Sequence, residues 1–463
     1  MTTEDKQTEE QGTYYYIRPT SATEENKKSK SDHLFALGIA SGIMLSLVVF
    51  VVCSVAMQMH DDKKLTKTIE DAKQTVDESP AAQAYSNYDS TEEHDDIVTE
   101  EVMVKMGVLQ GLIDKYYLDG YELDDLENGV YAGMIDSLGD KYAEYYSPED
   151  LQLLMEDSEG VYYGIGAYVG MDSETGMCVI SGTMEGTPAE EAGLEPGDII
   201  YKVDDVDTQG MDSSEVVKLI KGEEGTYTHL TLIREGEDDY VEVDVMRSRV
   251  ETPTVSYEIY EDDNIGYIAI GEFDTVTVDQ FTDALAVCTG SGVRGIIIDL
   301  RGNPGGSVDA VCEICRHILP KGMIVYTEDK YGKRDEYTCD GTHELNLPLV
   351  VLTNEYSASA SEIMTGAIKD YHKGTIVGTT TYGKGVVQKV VSLSDGSAIK
   401  LTISKYYTPS GVCIHGTGIE PDIPIELDVD AYVDDGFDNQ LDAAIQEIHR
   451  QWEEEDVTIA SNE

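Results

Sequence analysis

Basic residues are scarce in this sequence. Its 463 residues hold 32 Lys and Arg against 91 Asp and Glu, a formal net charge of −59. Such an excess repels phosphate backbones and argues against nucleic acid as a partner. A cysteine framework is missing as well. The seven cysteines are scattered, and Cys312-x-x-Cys315 stands at helical spacing with no second pair to complete a zinc site. Core packing is the expected role of both, and the chain calls for neither metal nor cofactor. Outside the cytoplasm, the six cysteines other than Cys53 could pair, in a connectivity the sequence leaves open. A dinucleotide fingerprint is absent too. Gly164-x-Gly166 with Gly170 imitates one, but the third glycine comes one place late and no clear helix opens behind it.

What is present is enough apolar residue to fold. The hydrophobic fraction is 41%, and the length allows two or three domains. Leu34 to Met57, "LFALGIASGIMLSLVVFVVCSVAM", is uncharged and long enough to span a bilayer. Lys27, Lys28 and Lys30 before it favour a cytoplasmic N-terminus, against Lys63, Lys64 and Lys67 behind it. A cleaved signal peptide is the rival, but the run is too long for an ordinary h-region. The expectation is a single-pass cell-membrane anchor with the remaining domains extracytoplasmic. Residues 1–33 then form a cytoplasmic tail, 34–57 a transmembrane helix, and 58–95 a polar stalk. Residues 96–158 carry helical spacing, as in Val102, Met106, Leu109 and Ile113.

The unit 159–250 opens on "YYGIGAYVG" and continues with "GTPAEEAGLEPGDIIYKVDD", a helical turn, a Pro-Gly-Asp turn and a strand. From 251 to 427 strands and helices alternate, including "GIIIDLRGNPGG", "LPLVVLT" and "GVVQKVVSL", which reads as an α/β domain with a partly parallel sheet. Residues 428–463 read as a helical segment.

Chemistry centres on "TNEYSASASEIMTGAIKDY", Thr353 to Tyr371. Ser359-Ala-Ser-Glu362 fits the S-x-x-E capping box ahead of a helical pattern, so capping alone could explain its serines. The same strand-to-helix turn also suits a nucleophile, because helix-terminal N–H groups stabilise a developing oxyanion. A base must then come from elsewhere. No G-x-S-x-G elbow is present, and His343, His372 and His415 stand in no recognisable motif. Lys384, between two glycines in "TTTYGKGVVQ" and followed by Val386 and Val387, would be desolvated and so a weaker acid-holder. Gln388 lies on the same side of that strand and can hydrogen-bond the amine. A merely exposed lysine is the other reading.

"NEYSASASEI" followed by "GKGVVQ", together with "DLRGNPGG", "DKYAEYYSPED", "AGLEPGDII" and "YYTPSG…GTGIEPDI", resembles the carboxy-terminal processing peptidases, or tail-specific proteases, over most of the chain beyond the apolar run. The resemblance implies a multidomain fold: an α/β core of the Clp-protease/crotonase ββα type, an inserted α+β PDZ domain, a helical N-terminal region and the transmembrane helix. It implies that Ser359 is the nucleophile, Lys384 the general base and Gln388 its orienting partner. The N–H of Ala360 and one from the Gly305-Gly306 turn would form the oxyanion hole. Tyr163, Gly164, Ile165 and Gly166 would bind a substrate's terminal carboxylate, the tail adding as a strand. Lys141, where proline is common in the family, touches none of this. The implied partners are proteins with accessible C-terminal tails, and a homo-oligomer is left open. Two rival functions remain: a non-catalytic anchored scaffold that only binds tails, and a crotonase-like acyl-CoA enzyme, which would not explain the PDZ unit.

Overall fold

A computed structural model describes residues 97–173 and 175–462. At its centre is a six-stranded sheet in the order 255–260, 265–270, 295–299, 349–353, 375–378 and 423–424. The first pair is antiparallel and every later pair parallel. The strands Gly295–Asp299 and Leu349–Thr353 are buried at all five positions, as parallel strands covered on both faces must be. Alternation divides them: Ile296, Ile298, Leu349 and Val351 face one core cluster with Ile363 and Ala367. Ile297, Val350 and Leu352 face a second with Ala444 and Ile448. The first core is closed by the helices Thr277–Gly290, Val308–Arg316 and Ala360–Asp370, the second by Asn439–Asn462.

A second sheet sets Ala398–Tyr407 between Gly322–Asp329, Glu144–Tyr146 and Val386–Ser392, all antiparallel to it. Between the N-terminal helices and this core lies a separate sheet in the order 167–171, 178–183, 199–203, 227–233 and 241–246, with its own buried cluster around Ile180, Ile200 and Leu230. Val161–Gly164 pairs with Ser248–Glu251 and closes this unit at its entry and exit. The helices Glu100–Tyr116 and Leu123–Asp136 bury no residue.

One expectation is corrected. Among the described residues no helix is long and apolar enough to cross a membrane, so the transmembrane helix is withdrawn from the fold class. The stretch 34–57 on which it rested lies outside the described residues, as do the tail and the stalk.

Candidate active site

The buried strand Leu349–Thr353 ends in a turn that delivers three serines with three different fates. Ser357 is fully buried, and its hydroxyl donates to the Leu300 carbonyl at 2.7 Å. Ser361, also buried, donates to the Asn303 carbonyl at 3.1 Å. Both hydroxyls stitch the turn to the neighbouring loop and are spent there. Ser359 sits between them at the helix N-terminus with φ 53° and ψ −112°, a left-handed conformation that non-glycine residues hold only where the surroundings enforce it. It lines a cavity of about 740 Å³.

The enforcement is visible. The Gly305-Gly306 turn presses on Ser359 so closely that a Cβ at Gly305 would lie 2.7 Å from the Ser359 Cβ and 2.9 Å from the Ala360 nitrogen. At Gly306 a Cβ would lie 2.4 Å from the Phe273 carbonyl oxygen. Only glycine fits either place. Buried Asn303 fixes this turn: its side chain donates to the Ile270 carbonyl at 2.9 Å and accepts from the Gly305 amide at 2.8 Å. With the Gly305 N–H so engaged, Gly306 carries the amide of the turn that has no acceptor among the described residues.

Lys384 lines the same cavity. Its flanking glycines answer to packing: a Cβ at Gly383 would lie 2.9 Å from the Gly418 nitrogen, and one at Gly385 2.6 Å from the His415 nitrogen. Backbone contact with the 415–418 segment is the reason the structure gives for both glycines. The ammonium lies 4.8 Å from the centre of the Tyr142 ring. Burial lowers the Lys384 pKa, and the positive charges of Lys400 and Lys141 lower it further.

Gln388 lines the cavity as well. A register shift between Val387 and Gln388 interrupts the simple alternation of the strand, and the carboxamide donates to Thr402 Oγ1 at 3.2 Å. Among the described residues its side-chain bond therefore runs to Thr402 and not to the lysine. None of His343, His372 and His415 lines the cavity; His343 stacks on His317 at 5.3 Å elsewhere.

Sequence reasoning read Glu362 as a capping residue and missed the rest of its work. The side chain is fully buried. One carboxylate oxygen accepts from the Ser359 amide at 3.0 Å and the Lys384 amide at 2.8 Å; the other accepts from Thr381 Oγ1 at 2.6 Å and the Gly383 amide at 2.7 Å. The Glu362 amide itself donates to the Ser359 carbonyl at 2.9 Å, so only the Glu362 half of the capping box is a side-chain bond. Tyr406 donates to the Ser359 carbonyl at 2.9 Å. One carboxylate thus ties the serine turn to the lysine loop. The S-x-x-E spacing was the signal; its second partner, far along the chain, was not visible.

In the smaller unit, Tyr163 and Gly164 end a strand, Ile165 is buried in that unit's core, and Gly166 has φ 79° with Thr187 packed against it. The Ile165 and Gly166 carbonyls accept from the Ala189 and Met184 amides at 2.8 and 2.9 Å. The next strand, Ala167–Met171, is at a sheet edge, paired only with Cys178–Thr183 among the described strands. An edge strand beside a glycine loop can accept an added strand. Lys221 pairs with Glu156 at 3.2 Å beside this loop, its ammonium over the Tyr162 ring.

Residues 264–425 match Peptidase family S41, and residues 179–234 match the PDZ domain. The carboxy-terminal processing protease CtpB of Bacillus subtilis is 34% identical over 330 residues, covering 71% of this chain and 68% of that protein. CtpA of the same organism is 37% identical over 305 residues, covering 66% and 65%. A Staphylococcus epidermidis protein named "Probable CtpA-like serine protease" is 36% identical over 317 residues, 68% of this chain, and the chain spans 63% of that relative's length. A strained serine at a helix start with a glycine turn pressed against it, a lysine on the same cavity and a PDZ unit ahead of them agree with these matches: the chain belongs to peptidase family S41, with the carboxy-terminal processing proteases.

Proposed function

We propose that this chain is a serine endopeptidase that recognises C-terminal tails through its PDZ unit and cleaves with Ser359 and Lys384. The observation that carries the reading is that both side chains line one cavity and both backbones hang on the Glu362 carboxylate. Lys384, with a lowered pKa, takes the proton from Ser359 Oγ as the oxygen attacks the scissile carbonyl. The N–H of Ala360 and the N–H of Gly306 stabilise the oxyanion. The protonated lysine gives that proton to the leaving amine; Lys384 then takes a proton from the water that attacks the acyl-enzyme and returns it to Ser359 Oγ as the acid product leaves. Gln388 acts from the wall of the cavity that Lys384 also lines.

For the PDZ unit, the glycine loop 163–166 and the edge strand Ala167–Met171 support binding of a terminal carboxylate with the tail added as a strand. The exposed apolar side chains of the two N-terminal helices, such as Leu109, Leu112 and Met134, support self-association. A non-catalytic scaffold would have no use for a half-buried lysine on the serine's cavity. The deciding experiment is turnover of an unstructured protein. Ser359→Ala and Lys384→Ala should each abolish it with the fold intact, and wild-type turnover by either variant would sink the assignment.

A further inference from the structure

The cavity that holds Ser359 has an acidic wall that the hydrolytic steps do not use. Glu272 and Asp274 flank Phe273, whose amide donates to Gly305 at 2.8 Å and whose carbonyl accepts from Ser307 at 2.7 Å. This pairing sets the two carboxylates directly beside the glycine turn. Asp157 joins them from the last turn of the helix Pro148–Glu159, and all three line the cavity with Leu154 and Met155.

Asp274 is 5% exposed, and among the described residues its carboxylate receives no hydrogen bond and forms no ion pair. Burial, with the charges of Glu272 and Asp157, raises its pKa to about 7, and Glu272 is raised by burial and by Asp157. Three lysines line the cavity: Lys400 pairs with Glu144 at 2.9 Å, Lys141 donates to the Tyr382 hydroxyl at 3.0 Å, and Lys384 lies against the Tyr142 ring; among the described residues none pairs with the acidic wall. A buried carboxylate without a partner is costly, so this wall lacks a positive group that it is built to meet.

We propose that Asp157, Glu272 and Asp274 form a subsite for a basic substrate side chain, lysine or arginine, next to the scissile bond. The chemistry fits such a group: Leu154 and Met155 offer apolar surface to its methylene stem, and the carboxylates take its charged end. The negative charge of the whole chain would draw cationic segments toward the cavity. The subsite rests on the peptidase reading above, and its test does not require cleavage.

The test uses full-length Ser359→Ala protein and fluorescent peptides with one shared, amidated C-terminus. A single position is scanned along the peptide as lysine, acetyl-lysine or alanine. At one register lysine should bind about tenfold more tightly than acetyl-lysine, about 1.4 kcal/mol. That ratio should fall to about one when Asp274→Asn or Glu272→Gln is added; Glu272 reaches solvent more than Asp274 does, so its variant guards against a folding defect at Asp274. If lysine nowhere exceeds acetyl-lysine, or if the preference survives both variants, the subsite does not exist. Wild-type protein that cuts none of the peptides would contradict the peptidase reading alone, because the binding ratio decides the subsite without it.

Discussion

The carboxylate of Glu362 accepts a hydrogen bond from the Ser359 amide at 3.0 Å. The same oxygen accepts from the Lys384 amide at 2.8 Å, so two segments far apart in the chain share one acceptor. The three amides and two hydroxyls around this carboxylate, the Tyr406 hydroxyl at 3.5 Å included, are all donors. In Glu362→Gln an NH₂ would face at least two of them, leaving buried donors unmet at about 1–3 kcal/mol. The expected outcome is a lower melting temperature and a kcat reduced at least about tenfold, with KM little changed. A kcat within twofold of wild type would show that the bridge does not position the pair.

Lys384 gives a pH signature. Its pKa is lowered by burial first and by Lys400 next, so kcat should rise with pH along one limb lying below about 10.4. Lys400→Met removes a positive charge, makes the protonated Lys384 easier to hold, and should move that limb to higher pH. Replacing His343, His372 or His415 should leave it where it is. A limb unmoved by Lys400→Met, or lost with one of the histidines, would assign the base elsewhere.

Much of this site was legible because local rules and motif spacing agree. Ser359 stands where a cap is expected and Lys384 at the mouth of an apolar strand, while Gly305 and Gly306 came only from the family resemblance. What was illegible depends on tertiary approach. The second job of Glu362 needs Gly383 and Lys384 folded onto it, and the bond from Gln388 to Thr402 follows a register shift that alternation alone does not foresee. The acidic wall is likewise invisible in a chain with 91 acids, until burial singles out Asp274. In the fold, buried strands announced themselves by apolar runs. The apolar run at 34–57 was read by the same rule; it lies outside the described residues, among which no helix is long and apolar enough to cross a membrane.

Asp274 also predicts a stability trend. Its pKa is raised from 3.8 to about 7 in the folded chain. A carboxyl with a raised folded pKa supports folding fully below its unfolded pKa, and that support is lost as pH rises through the folded value. Between pH 5 and pH 8 wild-type protein should therefore lose more melting temperature than Asp274→Asn. Parallel curves for the two proteins would refute the shift.

Gly166 tests tail reading. It has φ 79°, and a Cβ there would lie 2.4 Å from the Thr187 Cβ. Gly166→Val should distort the loop and remove any preference for a free-acid tail over its amidated form. Should full-length wild-type protein treat both tails alike, the loop is only a turn.

The central claim is that Ser359 is a nucleophile activated by Lys384. Intact-mass and peptide-mapping measurements after treatment with a serine-directed phosphonate address it most directly. The account predicts one adduct, on Ser359, absent in Ser359→Ala and formed far more slowly in Lys384→Ala. An adduct on another residue, or labelling of Ser359 at the wild-type rate without Lys384, would contradict it.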